Sequence, residues 1–373
     1  MEDGAALQDW LRLANAPGVG PRTFRTLLGH FGTPGRALAA EPRSLKALGL
    51  RKSAIAGMRS PASSRLEAVL DWAQGDHTHV LTLADPAYPK QLAELPDAPP
   101  VLYLHGNPQV LKEPQLAMVG SRNPSRGALD TTREFARHLA ACGLTITSGL
   151  AMGIDAAAHE GALEAGYTVA VLATGPDQVY PAQNQALASR IAAQGLLLSE
   201  FPPGTPPKAE HFPRRNRIIS ALSLGTFVTE AALRSGSLIT ARYAAEQGRE
   251  VFAMPGSIHN PLARGCHALI KSGAKLVEGT EDILQELGPL LRPFLGEAEG
   301  EKSPLEPAVP TAVPKDAPYR HLIDAMGQDP VSLEALIQRT GMAANEVASM
   351  LLLLELEGIV VSAPGGRYTV CAS

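Results

Sequence analysis

The chain has 373 residues, 45% hydrophobic and 19% charged, and its 33 Lys and Arg against 37 Asp and Glu give a net charge of −4. This predicts two or three globular domains and argues against a protein coated in nucleic acid, but it is compatible with a local basic groove. The absence of a long apolar run, the acidic start and three dispersed cysteines predict a cytoplasmic protein without membrane span, signal peptide, disulfide framework or cysteine zinc site.

Residues 1–70 are predicted to form a module of short helices interrupted by Gly and Pro. The segment 15–24, with Gly18 and Gly20, has the pattern of a helix-hairpin-helix turn. Such a turn can direct backbone amides at a phosphate, or its glycines can simply cap the helices of a compact SAM-like or helix-hairpin-helix-like module. We favour the second interpretation because Pro21 lacks an amide hydrogen.

Residues 71–291 alternate short apolar runs with Ala-rich helical stretches. The runs are 80–83, 101–104, 116–119, 144–147, 169–172, 196–198, 226–229 and 251–253. Buried strands that alternate with helices predict an α/β fold with a doubly wound, mostly parallel sheet. Ligands of such sheets bind beyond the carboxyl ends of the strands, where Gly, Ser and Arg cluster in this chain.

A Pro-rich linker is predicted at 292–318, followed by a small domain at 319–373. The pattern of this last domain is three helices, at about 319–327, from Ser332 and at about 344–357, followed by a hairpin around 364–366. Three helices and a hairpin are typical of a winged helix.

Three loops that follow predicted strands combine small residues with groups that suit an anion. Each has an alternative role as an ordinary capping turn. The candidate residues are Gly120, Ser121 and Arg122 in the first loop, Gly149, Leu150 and Ala151 in the second, and Ser235, Gly236 and Ser237 in the third.

Asp155 and His159 follow the second loop at helical spacing. They are either a general base with an orienting carboxylate, or a helix-start carboxylate and a structural histidine. We favour the structural interpretation, because no nucleophile or set of metal ligands lies nearby in sequence.

The segment 208–217 carries four cations and one carboxylate in an acidic chain. Its candidate residues are Lys208, Phe212, Arg214, Arg215, Asn216 and Arg217. Cations around an aromatic ring suit single-stranded nucleic acid, because charge follows the backbone while the ring stacks on a base. The alternatives are a solvated basic loop in which Phe212 fills the core and Arg217 is a buried structural arginine.

Several catalytic motifs are absent from the sequence. There is no GxxxxGK[ST], GxSxG or HExxH, and no GxGxxG follows a first strand. We therefore predict no catalytic residue, metal or cofactor, while Lys271 is a further candidate contact to a nucleic-acid backbone.

These motifs, in this order, resemble the DNA-processing protein A family, also called Smf. The matching segments are 119–122, 148–155 with 158–159, 180–181 with Asn184, 199–204, 212–219, Glu230 with 234–242, and 249–257. The resemblance implies a Rossmann-like core that binds single-stranded DNA without catalytic turnover. It further implies a homodimer that acts in natural transformation, protects incoming strands, helps to displace single-strand-binding protein and loads a RecA-type recombinase. Arg122 and Phe212 match the family's DNA pocket, and Lys208 matches it with a register uncertain by one residue.

The predicted winged helix has three arginines against six acidic residues. A winged helix that reads duplex DNA needs a basic face, so we expect this domain to bind protein or its own chain.

Two other functions fit parts of the pattern. One is a nucleotide enzyme such as a nucleoside-monophosphate phosphoribohydrolase, with Glu230 as its candidate carboxylate. The other is a scaffold whose pocket is vestigial. A continuous basic cluster with an aromatic residue favours a polymer over a mononucleotide, and intact binding-type loops argue against the scaffold.

Overall fold

The computed structural model describes residues 2–59, 64–294, 317–326, 331–342, 347, 350–351, 354, 360–363 and 367–370. The chain divides into two compact units, 1–296 and 297–373. The predicted boundary between residues 70 and 71 therefore lies inside the first unit, and most of the predicted linker lies outside the described residues.

The first unit begins with the predicted helical module. Its helices α1–α6 are Glu2–Ala14, Pro21–Phe31, Pro34–Ala39, Pro42–Ala47, Lys52–Arg59 and Ser64–Trp72. Proline occupies the first position of α2, α3 and α4, where its missing amide hydrogen costs no helical hydrogen bond.

A nine-stranded sheet follows, and it includes all eight predicted strands. Strands β1–β9 are Thr78–Thr82, Val101–Gly106, Gln115–Val119, Thr145–Ser148, Thr168–Leu172, Leu196–Ser199, Gly225–Val228, Glu250–Ala253 and Lys275–Leu276. Helices α7–α14 are Lys90–Ala93, Arg126–Ala141, Ile154–Ala162, Gln185–Gln194, His211–Leu222, Ser237–Glu246, Arg264–Lys271 and Thr280–Leu291. Short 3₁₀ helices span Pro108–Lys112, Ala182–Asn184 and Arg292–Phe294.

The strand order is β1-β2-β6-β5-β4-β3-β7-β8-β9. Strands β3 to β9 pair in parallel, whereas β2 pairs antiparallel with both β1 and β6. The chain moves outward from β3 through β4 and β5 to β6, and then returns through α11 to place β7 on the other side of β3. The mostly parallel, doubly wound sheet predicted from the sequence is therefore confirmed. The side on which successive strands are added changes between β3 and β7, which are themselves parallel.

Alternate residues of the buried strands pack into different cores. In β3, Leu116 and Met118 contact the core that contains α8 and α14, while Ala117 and Val119 contact the core that contains α11 and α12. Strand β2 links the sheet to the helical module, because Tyr103 packs among α1 and α2 residues such as Leu11 and Phe24. The module and the sheet thus share apolar burial, which explains why they form one compact unit.

The second unit has the elements of a winged helix. Helices α15 and α16 are Ala317–Met326 and Leu333–Thr340, and strands β10–β12 are Val331–Ser332, Val360–Ala363 and Arg367–Val370. The antiparallel order is β10-β12-β11. Ser332, from which the second helix was predicted to begin, caps α16, since its hydroxyl accepts from the Ala335 amide at 3.3 Å. Most of the predicted third helix lies outside the described residues.

Candidate nucleic-acid interface

A cavity of about 680 Å³ opens at the carboxyl edge of the sheet, where the strand order reverses between β3 and β7. We call it the edge cavity. Its lining includes Gly120, Ser121, Arg122, Asn123, Ala151, Asp155, Tyr180, Phe212, Arg215, Asn216, Arg234, Ser235, Gly236, Ser237 and Thr240. Reversal points of doubly wound sheets form ligand crevices because the neighbouring loops diverge there. Three arginines and one carboxyl group among these residues make the cavity basic.

The first loop is held tightly against its neighbours. The Ser121 amide donates to the Glu230 carbonyl at 2.7 Å, and the Ser121 carbonyl accepts from the Ile154 amide at 3.1 Å. A Cβ on Gly120 would lie 2.6 Å from an Ile154 side-chain carbon, so only glycine fits there. The close packing fixes the backbone from which the exposed Arg122 side chain extends.

Buried Arg215 anchors the second loop. Its guanidinium donates to the Gly149 carbonyl at 2.6 Å and to the carbonyl of Val171. A Cβ on Gly149 would lie 2.5 Å from that guanidinium, which explains the glycine. Burial lowers the pKa of Arg215 to about 10, so its positive charge persists at neutral pH.

The second loop also contains a strained residue. Leu150 is buried and has a φ of 58°, in the left-handed region that a branched apolar residue rarely adopts. The Asn184 side-chain amide donates to the carbonyls of Leu150 at 2.9 Å and of Ala151 at 3.2 Å, which holds this conformation. Strained backbone of this kind is concentrated at functional sites.

Asp155 and His159 do not form a pair. The Asp155 carboxylate accepts from the amides of Gly149 at 3.1 Å and Ala151 at 3.4 Å, while His159 Nδ1 lies 2.6 Å from the Thr168 hydroxyl oxygen. Burial raises the pKa of Asp155, with the Arg215 charge opposing that effect, and burial lowers the pKa of His159 to about 3. His159 is fully buried and does not line the edge cavity. These contacts agree with the structural interpretation of both residues.

Two aromatic rings and a guanidinium group meet at the mouth of the edge cavity. The rings of Phe212 and Tyr180 make an edge-to-face contact with centroids 5.6 Å apart. The Arg122 guanidinium carbon lies 5.6 Å from the Phe212 ring centroid. Tyr180 is 47% exposed and Met152, beside it in a small adjoining cavity that also includes Gly149, is 42% exposed. This cluster offers flat apolar surface beside a cation, which suits a base beside its phosphate.

The third loop leads into α12 and also lines the edge cavity. The hydroxyl oxygens of Ser235 and Ser237 lie 2.6 Å apart, and the Ser237 amide donates to Ser235 Oγ at 3.3 Å. The Asn216 side chain donates to the Gly236 carbonyl at 3.4 Å, which links this loop to α11. Hydroxyls and a cation, the exposed Arg234, therefore line the same cavity as Arg122.

The Glu230 carboxylate is held by hydrogen bonds outside the edge cavity. Its carboxylate accepts from the Ser125 amide at 2.7 Å, from the Ser125 hydroxyl at 3.1 Å and from the Asn260 side chain at 2.8 Å. The side chain is buried and does not line the edge cavity. Its geometry is that of a carboxylate that holds the start of α8 against the loop after β8.

Six candidate residues lie outside the edge cavity. Gly149 lines the small adjoining cavity, and Leu150 is fully buried. Lys208 and Arg214 line a neighbouring cavity, and Arg214 donates to Glu200 at 2.8 Å. Arg217 is the buried structural arginine considered above, because it donates to Glu200 at 2.7 Å with its side chain 5% exposed. Lys271 lies in the last turn of α13, just before β9 begins at the amino edge of the parallel sheet, the edge opposite the cavity.

Tyr180 and Arg234 were not among the site residues expected from the sequence, although both belong to segments that carry the family resemblance. Tyr180 follows β5 at a distance in sequence from every other candidate, so only the fold brings it to Phe212. Arg234 directly precedes the Ser-Gly-Ser turn of the third loop. That position was the one sequence signal that could have placed Arg234 in the site.

Family models match nearly the whole chain. The model described as DNA recombination-mediator protein A matches residues 79–288. The chain belongs to this family. The DprA-like N-terminal HHH domain matches residues 5–63, and the DprA winged helix domain matches residues 306–366. The edge cavity lies within the first of these matches.

Relatives and solved structures agree with this assignment. Protein Smf of Escherichia coli is 44% identical over 81% of this chain and 80% of its own length. The X-ray structure of DNA processing protein A from Streptococcus pneumoniae is 37% identical, covers 74% of this chain and 97% of that chain, and has a TM-score of 0.67. DNA processing protein A from Helicobacter pylori, described for its unique single-stranded DNA binding mode, is 32% identical over 56% of this chain and 96% of that chain, with a TM-score of 0.52.

Two further observations concern the described part of the chain. No group of three His, Cys, Asp or Glu residues there is arranged to hold a metal ion. No helix in these same ranges is both long and apolar enough to cross a membrane.

Proposed function

We propose that this protein binds single-stranded DNA in the edge cavity and acts as a recombination mediator without catalytic turnover. The observation that carries the proposal is the cluster of Arg122, Phe212 and Tyr180 at the mouth of a basic cavity. Bases stack on exposed rings irrespective of sequence, while arginines neutralise the phosphates between them. Buried Arg215 acts as a positioning residue, because its guanidinium holds the second loop through the Gly149 carbonyl.

The relatives support the choice of ligand. The Helicobacter pylori protein, described for its single-stranded DNA binding mode, is similar in fold and sequence to 56% of this chain. On the same basis, we propose that the protein works as a homodimer in the cytoplasm. Its role would be to protect incoming single strands in natural transformation, help to displace single-strand-binding protein, and load a RecA-type recombinase.

The geometry of Glu230 favours this proposal over a phosphoribohydrolase. A catalytic carboxylate must reach the substrate, but three hydrogen bonds hold Glu230 between α8 and the loop after β8. Incubation with nucleoside monophosphates tests the alternative directly, and we expect no released base.

Fluorescence anisotropy with a labelled oligonucleotide, single-stranded or duplex, across a salt series tests the proposal. We expect tight binding that prefers the single strand and weakens linearly in log–log form as salt rises, because bound phosphates release counterions. Absence of binding to either form at low salt would overturn the proposal.

We further propose that the winged-helix domain binds protein, or its own chain, rather than duplex DNA, on the basis of its excess of acidic residues. The full chain with Arg320, Arg339 and Arg367 replaced by Gln tests this. We expect unchanged duplex binding, and a clear loss would contradict the proposal.

A further inference from the structure

The positive charge of this acidic chain is concentrated in the helical module. Residues 15–59 contain eight Lys and Arg but a single acidic residue, Glu41, while the rest of the chain has 25 Lys and Arg against 36 Asp and Glu. All eight cations are exposed. Among the residues that the structure describes, none of the eight forms an ion pair. A field of this density favours association with a polyanion.

Part of this charge surrounds a cavity of about 410 Å³, which we call the hairpin cavity. Two turns line it, one formed by Gly18, Arg22 and Thr23 and the other by Gly49 and Arg51. The turns have matching geometry, because Gly18 and Gly49 have φ values of 83° and 84° and each lies three residues before a helix start.

The two turns are packed against each other at close range. A Cβ on Gly18 would lie 3.0 Å from the Ala54 side chain, and a Cβ on Gly57 would lie 2.9 Å from Pro17. The hairpin cavity is therefore a fixed cleft, and its arginines lie on a preformed frame.

A third cavity is lined by residues that adjoin, in sequence, residues of both the hairpin cavity and the edge cavity. This bridging cavity, of about 260 Å³, is lined on one side by Gly20 and Pro21 of the first turn and on the other by Lys208 and Arg214. Ala209 and Phe212, in the same stretch of chain as Lys208, line the edge cavity. Each of the three cavities thus has basic side chains in its lining, and together they mark a path from the edge cavity to the helical module.

We propose that a single strand bound in the edge cavity continues along this path, and that the hairpin cavity binds its phosphates. The inference rests on the proposed function and adds a second contact surface, with Arg22 and Arg51 as its phosphate ligands. Arg214 and Arg217 share Glu200, and Arg217 also contacts Asp97, so their charges are largely balanced. Among the described residues Lys208 forms no ion pair, so it is the cation that adds positive charge to the path. The path gives Lys208 a role although it lies outside the edge cavity.

The test compares short and long single strands on the full chain. A probe of about six nucleotides occupies the edge cavity alone, whereas one of about 30 nucleotides can reach the hairpin cavity. The double variant Arg22→Gln/Arg51→Gln should bind the short probe like the wild type. Its log–log salt slope for the long probe should fall by about 1.4, which makes the loss of affinity between 50 and 200 mM salt about sevenfold smaller.

A matched control is Arg137→Gln/Arg190→Gln, which removes the same charge from exposed positions on α8 and α10 that line none of these cavities. We expect wild-type slopes with both probes. Equal long-probe slopes for the two double variants would overturn the inference, as would an effect confined to duplex DNA or to an acidic protein partner. If the wild type bound neither probe, the proposed function itself would fail.

Discussion

The two faces of α11 carry similar residues but differ in their surroundings. Phe212, Arg215, Asn216 and Ile219 are spaced as one helical face and line the edge cavity. Arg214 and Arg217 lie on another face, where both donate to Glu200, whose side chain is 1% exposed. Cations that are adjacent in sequence therefore divide between a binding surface and a buried ionic network. The helical period separates them, and the following predictions test that separation.

The largest expected effect is on stability and arises on the ionic face. Arg217→Ala leaves buried Glu200 with only the half-exposed Arg214, and it also removes a contact to Asp97 at 3.5 Å. We expect a loss of about 3 kcal/mol in the free energy of unfolding, because an uncompensated buried charge is costly. Urea denaturation measures this loss, while the folded variant should bind single strands normally.

Arg190→Ala is the control for that prediction, because Arg190 is exposed and should change stability by less than about 0.5 kcal/mol. Equal stabilities for the two variants would show that the ionic face contributes little to folding.

The next prediction concerns His159, a buried residue on the helix that follows the second loop. Its pKa is lowered to about 3 in the folded state, so its contribution to stability is present above the ordinary value of 6.5 and is lost as pH falls toward 3. Between pH 6.5 and 5, the wild type should lose about 2 kcal/mol more than His159→Gln, which does not titrate.

Chemical denaturation at the two pH values measures that difference. A wild type and variant with parallel pH dependence would contradict the buried, neutral state of His159.

The next prediction concerns Phe212, on the face of α11 that lines the edge cavity. If its ring stacks on a base, Phe212→Ala should weaken single-strand binding by about 1–3 kcal/mol. Phe212→Trp keeps a stacking surface and should retain most of the affinity. Anisotropy measures both variants, and thermal unfolding checks their folds. Unfolding of the alanine variant instead of weakened binding would show that the ring belongs to the core.

The smallest expected effect is on the salt dependence of binding. Arg122→Gln should lower the log–log salt slope by about 0.7, the value for one lost phosphate contact on a single strand. Stability should not change, because Arg122 is exposed. Arg137→Gln is the matched control. An unchanged slope for the Arg122 variant would remove that residue from the phosphate ligands.

Much of the fold was predictable because buried parallel strands are short apolar runs. All eight runs became strands, whereas β9 is only two residues long and has no recognisable pattern. The antiparallel pairing of β2 with β6 was not predictable, because an apolar run indicates a buried strand but not the direction or the partner of its pairing. The shared core of Tyr103 and the helical module was not predictable either. The alternation of residues along a strand does not show which other element covers each face of the sheet.

The candidate site was predictable in its loops and less so in its side chains. Gly120, Arg122 and Ser235 follow strands whose carboxyl ends meet, so parallel topology alone brings them together. The division between Arg215 and Arg217 required the helical period, and the contact between Tyr180 and Phe212 required the tertiary structure. Lys208 was predicted to lie beside Phe212 in the binding site. In the structure it precedes α11 and lines the bridging cavity instead.

Photocrosslinking tests the central claim most directly. A single strand that contains 5-iododeoxyuridine would be bound to the full chain, irradiated and mapped by peptide mass spectrometry, since this base reacts with aromatic rings that stack on it. The account predicts adducts on Phe212 or Tyr180, and their loss when excess unlabelled single strand competes. Specific adducts that lie only outside the edge cavity would contradict it.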